Sequence, residues 1–339
     1  MNIGIIGAGN ISDTHVRAAL AIPGVRLRAV FAPSLVKASA LASRAGALPF
    51  DDFERFLSHG PLDLVLIGSP SGRHAEQAIA AAGHGIHALV EKPLDVSVAR
   101  IDALIAAAER HKVQVGIFFQ DRLKPAIARV QQMVAAGGLG RPVLIAGRVK
   151  WHRTPEYYGG SRWRGTLALD GGGALINQGI HTVDLMQWMF GPVSSVAAAV
   201  ATRVHDIEVE DTAAAVLTFA SGALGVIEAA TSVFPGYARR LELTGSEGTM
   251  IIEQDSLVAA NLRDGAGPAI DIADGGSSPA ATATVSDATP HQRVIEDFID
   301  AVRTGRAPAC DAREGRRSVA IVEAVYRSAR EGRTVPVDV

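Results

Sequence analysis

The tripeptide Glu91-Lys92-Pro93 places a lysine where it can move a proton. A proline directly after a predicted strand fixes the backbone, admits a cis peptide bond and aims the preceding side chain into a cleft. In a dry cleft, desolvation disfavours the charged form of a lysine, so Lys92 can take or relay a hydroxyl proton near neutral pH. We predict that Lys92 is catalytic; the alternative is a surface lysine paired with Glu91.

A second candidate follows three consecutive glycines, Gly171 to Gly173, which let the backbone pass close to a ligand ahead of a predicted helix. Asn177 and His181 are four residues apart and share one helix face, with Asp184 near it. We predict that His181 is a catalytic acid or base, that Asn177 orients a hydroxyl, and that Asp184 supports His181. No metal is predicted, because an H-E-x-x-H pattern is missing and asparagine is a poor ligand for transition metals.

Aromatic and basic side chains cluster upstream of that helix, between residues 150 and 164. Rings interleaved with guanidinium groups can stack on sugar faces and hold hydroxyl, carboxylate or phosphate groups, and the same residues also suit an oligomer interface. The arginines either indicate an anionic or nucleotide-linked sugar or are solvated and paired. The predicted substrate-binding residues are Asn177, Arg153, Tyr157, Trp163, Arg164 and Arg122.

The chain begins with an apolar run at residues 3–6 that breaks at Gly7-Ala8-Gly9 and continues as an amphipathic segment. This pattern is typical of a dinucleotide-binding turn, in which Gly7 permits the tight turn and Gly9 lets the backbone approach a pyrophosphate at a helix N-terminus. Ser12 stands at the third glycine position, so the fingerprint is incomplete. An ordinary strand-to-helix turn is the alternative.

Residue 32, at the end of the second predicted strand, bears on the form of the cofactor. Sites for NAD usually place an acid there, whereas this chain has Ala32. Ser34 and Lys37 can then donate to a 2′-phosphate, or Ser34 only caps the next helix. We predict NAD or NADP, with a slight preference for NADP.

The predicted cofactor-binding residues follow the strands of the N-terminal part, because ligands bind parallel sheets at the carboxyl ends of the strands. For His74, holding its loop by a hydrogen bond is favoured over proton transfer. The set comprises Gly7, Gly9, Asn10, Ile11, Ser12, Ala32, Ser34, Lys37, Ser69, Pro70, His74, Glu91, Lys92 and Gln120.

Up to about residue 120, apolar runs alternate with helical patterns, which predicts an α/β fold with a doubly wound parallel sheet. Beyond residue 123, consecutive strands with short turns predict a C-terminal α+β domain with a large, mostly antiparallel sheet. We therefore predict two domains, 1–122 and 123–339. Helices are predicted at 125–136, 174–188, 291–304 and 312–330, and a long loop at 263–290.

The composition excludes several classes of protein. With 48% apolar and 20% charged residues the chain can build full cores, and a net charge of −2 gives no basic field for nucleic acid or an anionic membrane. The apolar stretch at 212–234 is interrupted by Ser221-Gly222 and Glu228 and predicts a hairpin, not a membrane span. The single cysteine, Cys310, and the lack of a signal peptide pattern favour a cytoplasmic location.

Together, the Gly7-Ala8-Gly9-Asn10 turn, Glu91-Lys92-Pro93, and the three glycines followed by His181 and Asp184 resemble the Gfo/Idh/MocA family, named for glucose-fructose oxidoreductase and inositol dehydrogenase. The resemblance extends over essentially the whole chain. It implies an N-terminal Rossmann domain and a C-terminal domain whose open sheet face forms homodimers or homotetramers.

The resemblance also implies NAD(P)-dependent oxidation or reduction of a sugar, sugar derivative or cyclitol, with Lys92 and His181 in the catalytic positions. Family members often have aspartate where this chain has Asn177, so a proton relay through that position is not available here. The alternatives are a non-catalytic NAD(P)-binding regulator on the same fold, or an enzyme acting on a non-sugar carbonyl or diol.

Overall fold

Six parallel strands form the sheet of the N-terminal part. The strands are β1 Asn2–Ile6, β2 Arg26–Phe31, β3 Leu48–Phe50, β4 Leu64–Ile67, β5 His87–Val90 and β6 Val115–Ile117. Their order is β3-β2-β1-β4-β5-β6, so the order reverses where β1 pairs with β4. The predicted doubly wound sheet is confirmed, and its reversal point is where such sheets bind ligands. The three-residue β3 is too short to show a pattern in the sequence.

Helices connect these strands through short loops. They are α1 Asn10–Leu20, α2 Leu35–Ala45, α3 Phe53–Leu57, α4 His74–Gly83 and α5 Val98–His111. Local capping sets their bounds: Asp52 accepts the Arg55 N–H at the start of α3, and α2 ends at Gly46 in the left-handed conformation. The short loops bring the residues that follow β1, β4 and β5 to one edge of the sheet.

The second sheet has eight strands and is mostly antiparallel, as predicted. Its strands are β7 Pro142–Lys150, β8 Val193–Ala201, β9 Thr212–Phe219, β10 Leu224–Ala230, β11 Arg240–Gly245, β12 Gly248–Glu253, β13 Ser256–Leu262 and, near the C-terminus, β14 Val335–Pro336. The helices in this part of the chain are α6 Pro125–Ala135, α7 Pro155–Gly159, a π-helix Ala174–Gly179 and α8 Ile180–Phe190. The sheet order is β13-β12-β11-β7-β10-β9-β8-β14, and within the described residues β7 and β10 are the one pair of its strands that runs parallel.

Helix α8 packs against this sheet at Gly147 of β7, where a Cβ would lie 2.6 Å from Thr182 and 2.9 Å from Met186. Strands β9 and β10 form the hairpin predicted at 212–234. No helix in the part of the chain that the structure describes is long and apolar enough to cross a membrane.

Two helices close the chain, α9 Thr289–Thr304 and α10 Ala312–Glu331. This structure is a computed structural model that describes residues 1–265, 267–268, 270 and 287–338. The predicted loop at 263–290 therefore lies mostly outside the described residues.

The chain divides into two units, one of residues 1–120 and 284–316 and one of residues 121–283 and 317–339. The predicted boundary after residue 122 is close to the first crossing, but residues 284–316 do not stay with the predicted C-terminal domain. They join the first unit because α9 packs on α1 and the Cys310 carbonyl accepts the Ile117 N–H of β6 at 3.0 Å.

Candidate active site

The turn after β1 is shaped for a dinucleotide. Gly7 has a φ of 105°, and a Cβ on it would lie 2.7 Å from the Gly68 carbonyl oxygen. Gly9 is the N-cap of α1 without a side-chain hydrogen bond, and a Cβ built on it meets no atom within 4 Å. The first turn of α1 therefore opens onto space that a pyrophosphate would fill. This geometry fits the predicted roles of Gly7, Gly9, Asn10 and Ile11.

Ser12, at the third glycine position of the fingerprint, is 0% exposed and lies inside the protein. A Cβ on Gly68 would lie 3.1 Å from its Oγ, because α1 approaches the end of β4 closely there. Ser12 thus does the packing that the third glycine of the fingerprint does in such folds.

His74 makes a polar contact through each of its ring nitrogens. The ring is buried, with Nδ1 2.7 Å from the Pro93 carbonyl oxygen and Nε2 2.9 Å from the Ser69 carbonyl oxygen. It joins the loop after β4 to the loop after β5. The sequence-based preference for a loop-holding role is confirmed, and Ser69 and Pro70 are held in place by it.

Four further residues of the predicted cofactor set follow β2 and β6. Ser34 caps α2 by accepting the Lys37 N–H at 3.4 Å, while the Lys37 side chain is exposed and Ala32 is buried at the end of β2. Among the described residues, the buried Oε1 of Gln120 has no hydrogen-bond partner. That oxygen, just past β6, is a ready acceptor for an N–H group of a bound ligand.

The Glu91-Lys92-Pro93 turn contains a cis Lys92–Pro93 peptide bond. Glu91 is only 5% exposed and Lys92 is half-buried, so the alternative of an exposed surface pair does not describe them. The Glu91 carboxylate lies 3.0 Å from His15 Nε2 and accepts the Lys92 N–H at 3.1 Å. Burial alone would raise the pKa of Glu91, but hydrogen bonds and charge from His15 and His291 hold it well below its usual value. Glu91 therefore supports the turn from inside and does not face a cofactor.

The predicted helix at 174–188 is not one α-helix. A π-helix occupies Ala174–Gly179, and α8 begins at Ile180. A π-helix bonds residue i to i+5, so its turn is wider than that of the predicted α-helix. Asn177 donates from Nδ2 to Asp170 at 2.6 Å.

Two of the three glycines ahead of this helix make room for other parts of the protein. A Cβ on Gly172 would overlap the Tyr326 hydroxyl, and one on Gly173 would overlap the Glu210 carbonyl oxygen. The Glu210 carboxylate accepts the N–H groups of Gly173 and Leu175, both at 2.9 Å, and the Tyr326 O–H at 2.9 Å. Burial raises the pKa of Glu210 although these bonds oppose it. Glu210 thus caps the π-helix from a distant segment.

Arg122 and Asp184 form a buried ion pair. Arg122 Nε and Nη2 donate to the Asp184 carboxylate at 2.8 and 2.6 Å, and the Arg122 side chain is 3% exposed. Ser318 donates to the same carboxylate at 3.1 Å, and Arg122 lies over the Trp188 ring. Arg122 therefore anchors α8 through Asp184.

The carboxylate that faces His181 is Asp121, with 4.0 Å between His181 Nδ1 and Asp121 Oδ2. Asp121 also pairs with Arg239 and, at 2.6 Å, with Lys124. Burial alone would raise the pKa of Asp121, but these cations hold it well below its usual value. This group could not be predicted from the sequence, because Arg239 lies 118 residues from Asp121.

The predicted aromatic and basic residues do come together around Tyr157. The guanidinium carbon of Arg153 lies 5.3 Å and that of Arg164 4.5 Å from the centre of the Tyr157 ring. Gln178 donates to the Tyr157 hydroxyl at 3.0 Å and accepts from Arg153 at 3.3 Å. Because Gln178 adjoins Asn177, this cluster is attached to the helix that leads to His181. Arg164 also lies 5.2 Å from the centre of the Trp163 ring.

Comparison with known proteins gives two matching family models. The first, described as an oxidoreductase family with an NAD-binding Rossmann fold, matches residues 1–119. The second, the GFO/IDH/MocA C-terminal domain, matches residues 127–251.

Related proteins and structures match along the whole chain. D-apiose dehydrogenase from Paraburkholderia graminis is 30% identical over 98% of this chain and 88% of its own length. D-xylose 1-dehydrogenase (NADP(+)) 2 from Haloferax volcanii is 28% identical over 100% of both chains. The WlbA dehydrogenase from Bordetella pertussis, solved in complex with NADH and UDP-GlcNAcA, has a TM-score of 0.90 and 29% identity, and covers 100% of this chain and 98% of that chain.

Replacing Gly9 by alanine tests the open space at the first turn of α1. We expect Gly9→Ala to change the free energy of unfolding by less than about 0.5 kcal/mol, because its Cβ meets no protein atom. Binding of NADH or NADPH should weaken by about tenfold or more, because the Cβ occupies the space of the pyrophosphate. Urea unfolding and fluorescence titration measure the two quantities.

The matched control is Gly83→Ala, at the end of α4, where a Cβ also meets no atom within 4 Å. It should leave cofactor affinity unchanged and raise the free energy of unfolding by at most about 1 kcal/mol, because alanine is favoured over glycine in a helix. Unchanged dinucleotide affinity in Gly9→Ala would contradict the assignment of this turn.

Proposed function

This chain belongs to the Gfo/Idh/MocA family of oxidoreductases, and on that premise we propose that it transfers a hydride between NAD(P) and a secondary alcohol or ketone. The substrate class is a sugar, sugar derivative or cyclitol, as the names of the apiose and xylose dehydrogenases suggest. The observation that carries the proposal is Lys92, half-buried after β5 on the edge of the sheet that also carries the open Gly9 turn.

The cofactor would be held by the residues that fit it. Gly7, Gly9 and the first turn of α1 suit the pyrophosphate, and the buried Gln120 Oε1 can accept an N–H of a carboxamide. When bound, the nicotinamide supplies or takes up the hydride.

The chain's own residues handle the hydroxyl proton. In our proposal Lys92 takes or returns it at Nζ, and His181 shares this work. The Asp121 carboxylate, 4.0 Å from His181 Nδ1, stabilises positive charge that develops on the imidazole. Asn177 is held by Asp170 and orients a substrate hydroxyl without accepting a proton. Arg153, Tyr157 and Arg164 contribute stacking and hydrogen bonds to the sugar.

Lys92→Ala tests the proposed proton transfer. We expect kcat on an established substrate to fall by about 10²- to 10⁴-fold, which is the usual contribution of a positioned acid or base, while NADH affinity is retained. The measurement is initial-rate kinetics of nicotinamide absorbance, with Lys150→Ala as the control because that lysine pairs with Glu228 on the second sheet. Normal turnover of Lys92→Ala would refute the assignment.

The competing functions predict different results in a substrate panel. Sugars, cyclitols and aromatic diols are assayed with each cofactor. A regulator would bind NAD(P) and change nicotinamide absorbance with none of them, and an enzyme for non-sugar diols would respond to the aromatic members alone. Turnover of a sugar or cyclitol supports the proposal.

We also propose a slight preference for NADP over NAD. Ala32 takes the position of the acid that holds the 2′-hydroxyl, and Lys37 is exposed in the first turn of α2.

Lys37→Ala should lower kcat/KM for NADP by about tenfold, because one charge pair to the 2′-phosphate is lost, and should change kcat/KM for NAD little. Arg44→Ala, in the last turn of the same helix, is the control. A preference for NAD in the wild-type protein would contradict this part of the proposal.

The partner that we propose is a second copy of the chain. Leu144, Val216 and Leu224 lie on one face of adjacent strands β7, β9 and β10 and are 41%, 47% and 49% exposed. Exposed apolar side chains on one sheet face favour a homodimer or homotetramer.

Light scattering after gel filtration should give the mass of a dimer or tetramer. The double variant Val216→Glu with Leu224→Glu should shift that mass toward the monomer. Leu48→Glu, equally exposed but on β3, should leave the oligomer intact; a monomeric wild-type protein would overturn the proposal.

A further inference from the structure

In the first unit, two buried histidines from distant parts of the chain lie beside the buried carboxylate of Glu91. His15 on α1 is 0% exposed, His291 on α9 is 2% exposed, and Glu91 follows β5. Glu91 Oε1 lies 3.0 Å from His15 Nε2 and 3.5 Å from His291 Nε2. The other oxygen, Oε2, accepts the backbone N–H of Lys92. We call these three residues the His15–Glu91–His291 cluster.

A buried carboxylate is costly unless it is paired and hydrogen-bonded. Both histidines and the Lys92 N–H meet that need, and their combined effect keeps the pKa of Glu91 well below normal despite its burial. The His15 ring is further fixed by stacking on Phe118, with 4.5 Å between ring centres and 14° between planes. The carboxylate therefore has a single well-determined position.

This position joins two parts of the proposed site. His15 belongs to α1, whose first turn opens at Gly9, and Glu91 holds the backbone of Lys92. The carboxylate thus connects the helix that would bind the pyrophosphate to the residue that would move the proton. Displacement of a reacting group by about 1 Å can cost a hundredfold in rate, so such a connection affects catalysis.

We propose that Glu91, held by His15 and His291, is the positioning residue for Lys92. This inference rests on the proposed function, since it assigns Glu91 a role that acts through Lys92. Glu91 itself does not touch the substrate or the cofactor.

The same three side chains also have the types and spacing of a divalent metal site, with ligand atoms within 4.8 Å of one another. We favour the hydrogen-bonded arrangement because His15 Nε2 is at hydrogen-bond distance from Oε1, and a nitrogen that donates a proton has no lone pair for a metal. Stoichiometric metal in the purified protein, with loss of kcat on chelation, would overturn the proposal.

The direct test is Glu91→Gln, which keeps the volume and removes the charge and one acceptor. We expect kcat to fall by about ten- to a hundredfold with little change in KM for the cofactor, because Lys92 is misplaced while the Gly9 turn is kept. In a Lys92→Ala background, Glu91→Gln should cause no further loss of kcat, since its effect passes through Lys92. A purely structural role would lower the yield or stability and leave kcat per folded molecule unchanged.

The matched control is Asp95→Asn, which changes a fully buried carboxylate in the same loop. Asp95 accepts the N–H groups of Ala75 at 3.0 Å and Val96 at 2.7 Å. Its loss should lower stability but leave kcat within about twofold. If Glu91→Gln does not fold, His291→Gln replaces it, because the longer 3.5 Å contact makes that change milder; its kcat should fall in the same direction.

The outcomes separate this inference from the proposed function. If Lys92→Ala keeps its turnover, the proposed function fails. If Lys92→Ala is inactive while both Glu91→Gln and His291→Gln keep normal kcat, the positioning role fails and the proposed function stands.

Discussion

A carboxylate removed from water has to be paired, and in the first unit the pairing of Glu91 determines where the neighbouring elements lie. Its two oxygens reach His15 on α1, His291 on α9 and the Lys92 backbone. Residues 284–316 belong to the first unit, and this has a physical reason: His291 lies 3.5 Å from the buried Glu91 carboxylate. The turn that carries Lys92 is thereby fixed from within the protein.

The second unit follows the same rule with different groups. Glu210 caps the π-helix through two backbone N–H groups, and Asp184 fixes α8 through Arg122. Asp121 stands between His181 and the cations Arg239 and Lys124. Several polar groups of the two predicted catalytic segments therefore support the backbone, and in our proposal Lys92 and His181 transfer the proton.

The sequence predicted the strands and the Gly7 turn well, because apolar runs and glycines report local backbone conformation. The prediction for Lys92 rests on the same kind of local signal, a proline directly after a strand. The sequence did not separate Arg122, Ser12 and Glu91, which are buried, from exposed residues that can reach a ligand, since burial depends on partners far along the chain. The π-helix was also not predictable from the sequence. The residue that caps it, Glu210, lies 35 and 37 residues along the chain from the two N–H groups that it accepts.

The central claim is that Lys92 is the group that exchanges the proton of the reacting hydroxyl. The measurement that tests it most directly is a crystal structure of the protein with NAD(P) and a sugar or cyclitol that it turns over. The account predicts that Lys92 Nζ lies about 2.6–3.2 Å from the hydroxyl oxygen on the carbon that faces the nicotinamide. A productive complex in which Lys92 points away from that oxygen, with another side chain in its place, would contradict it.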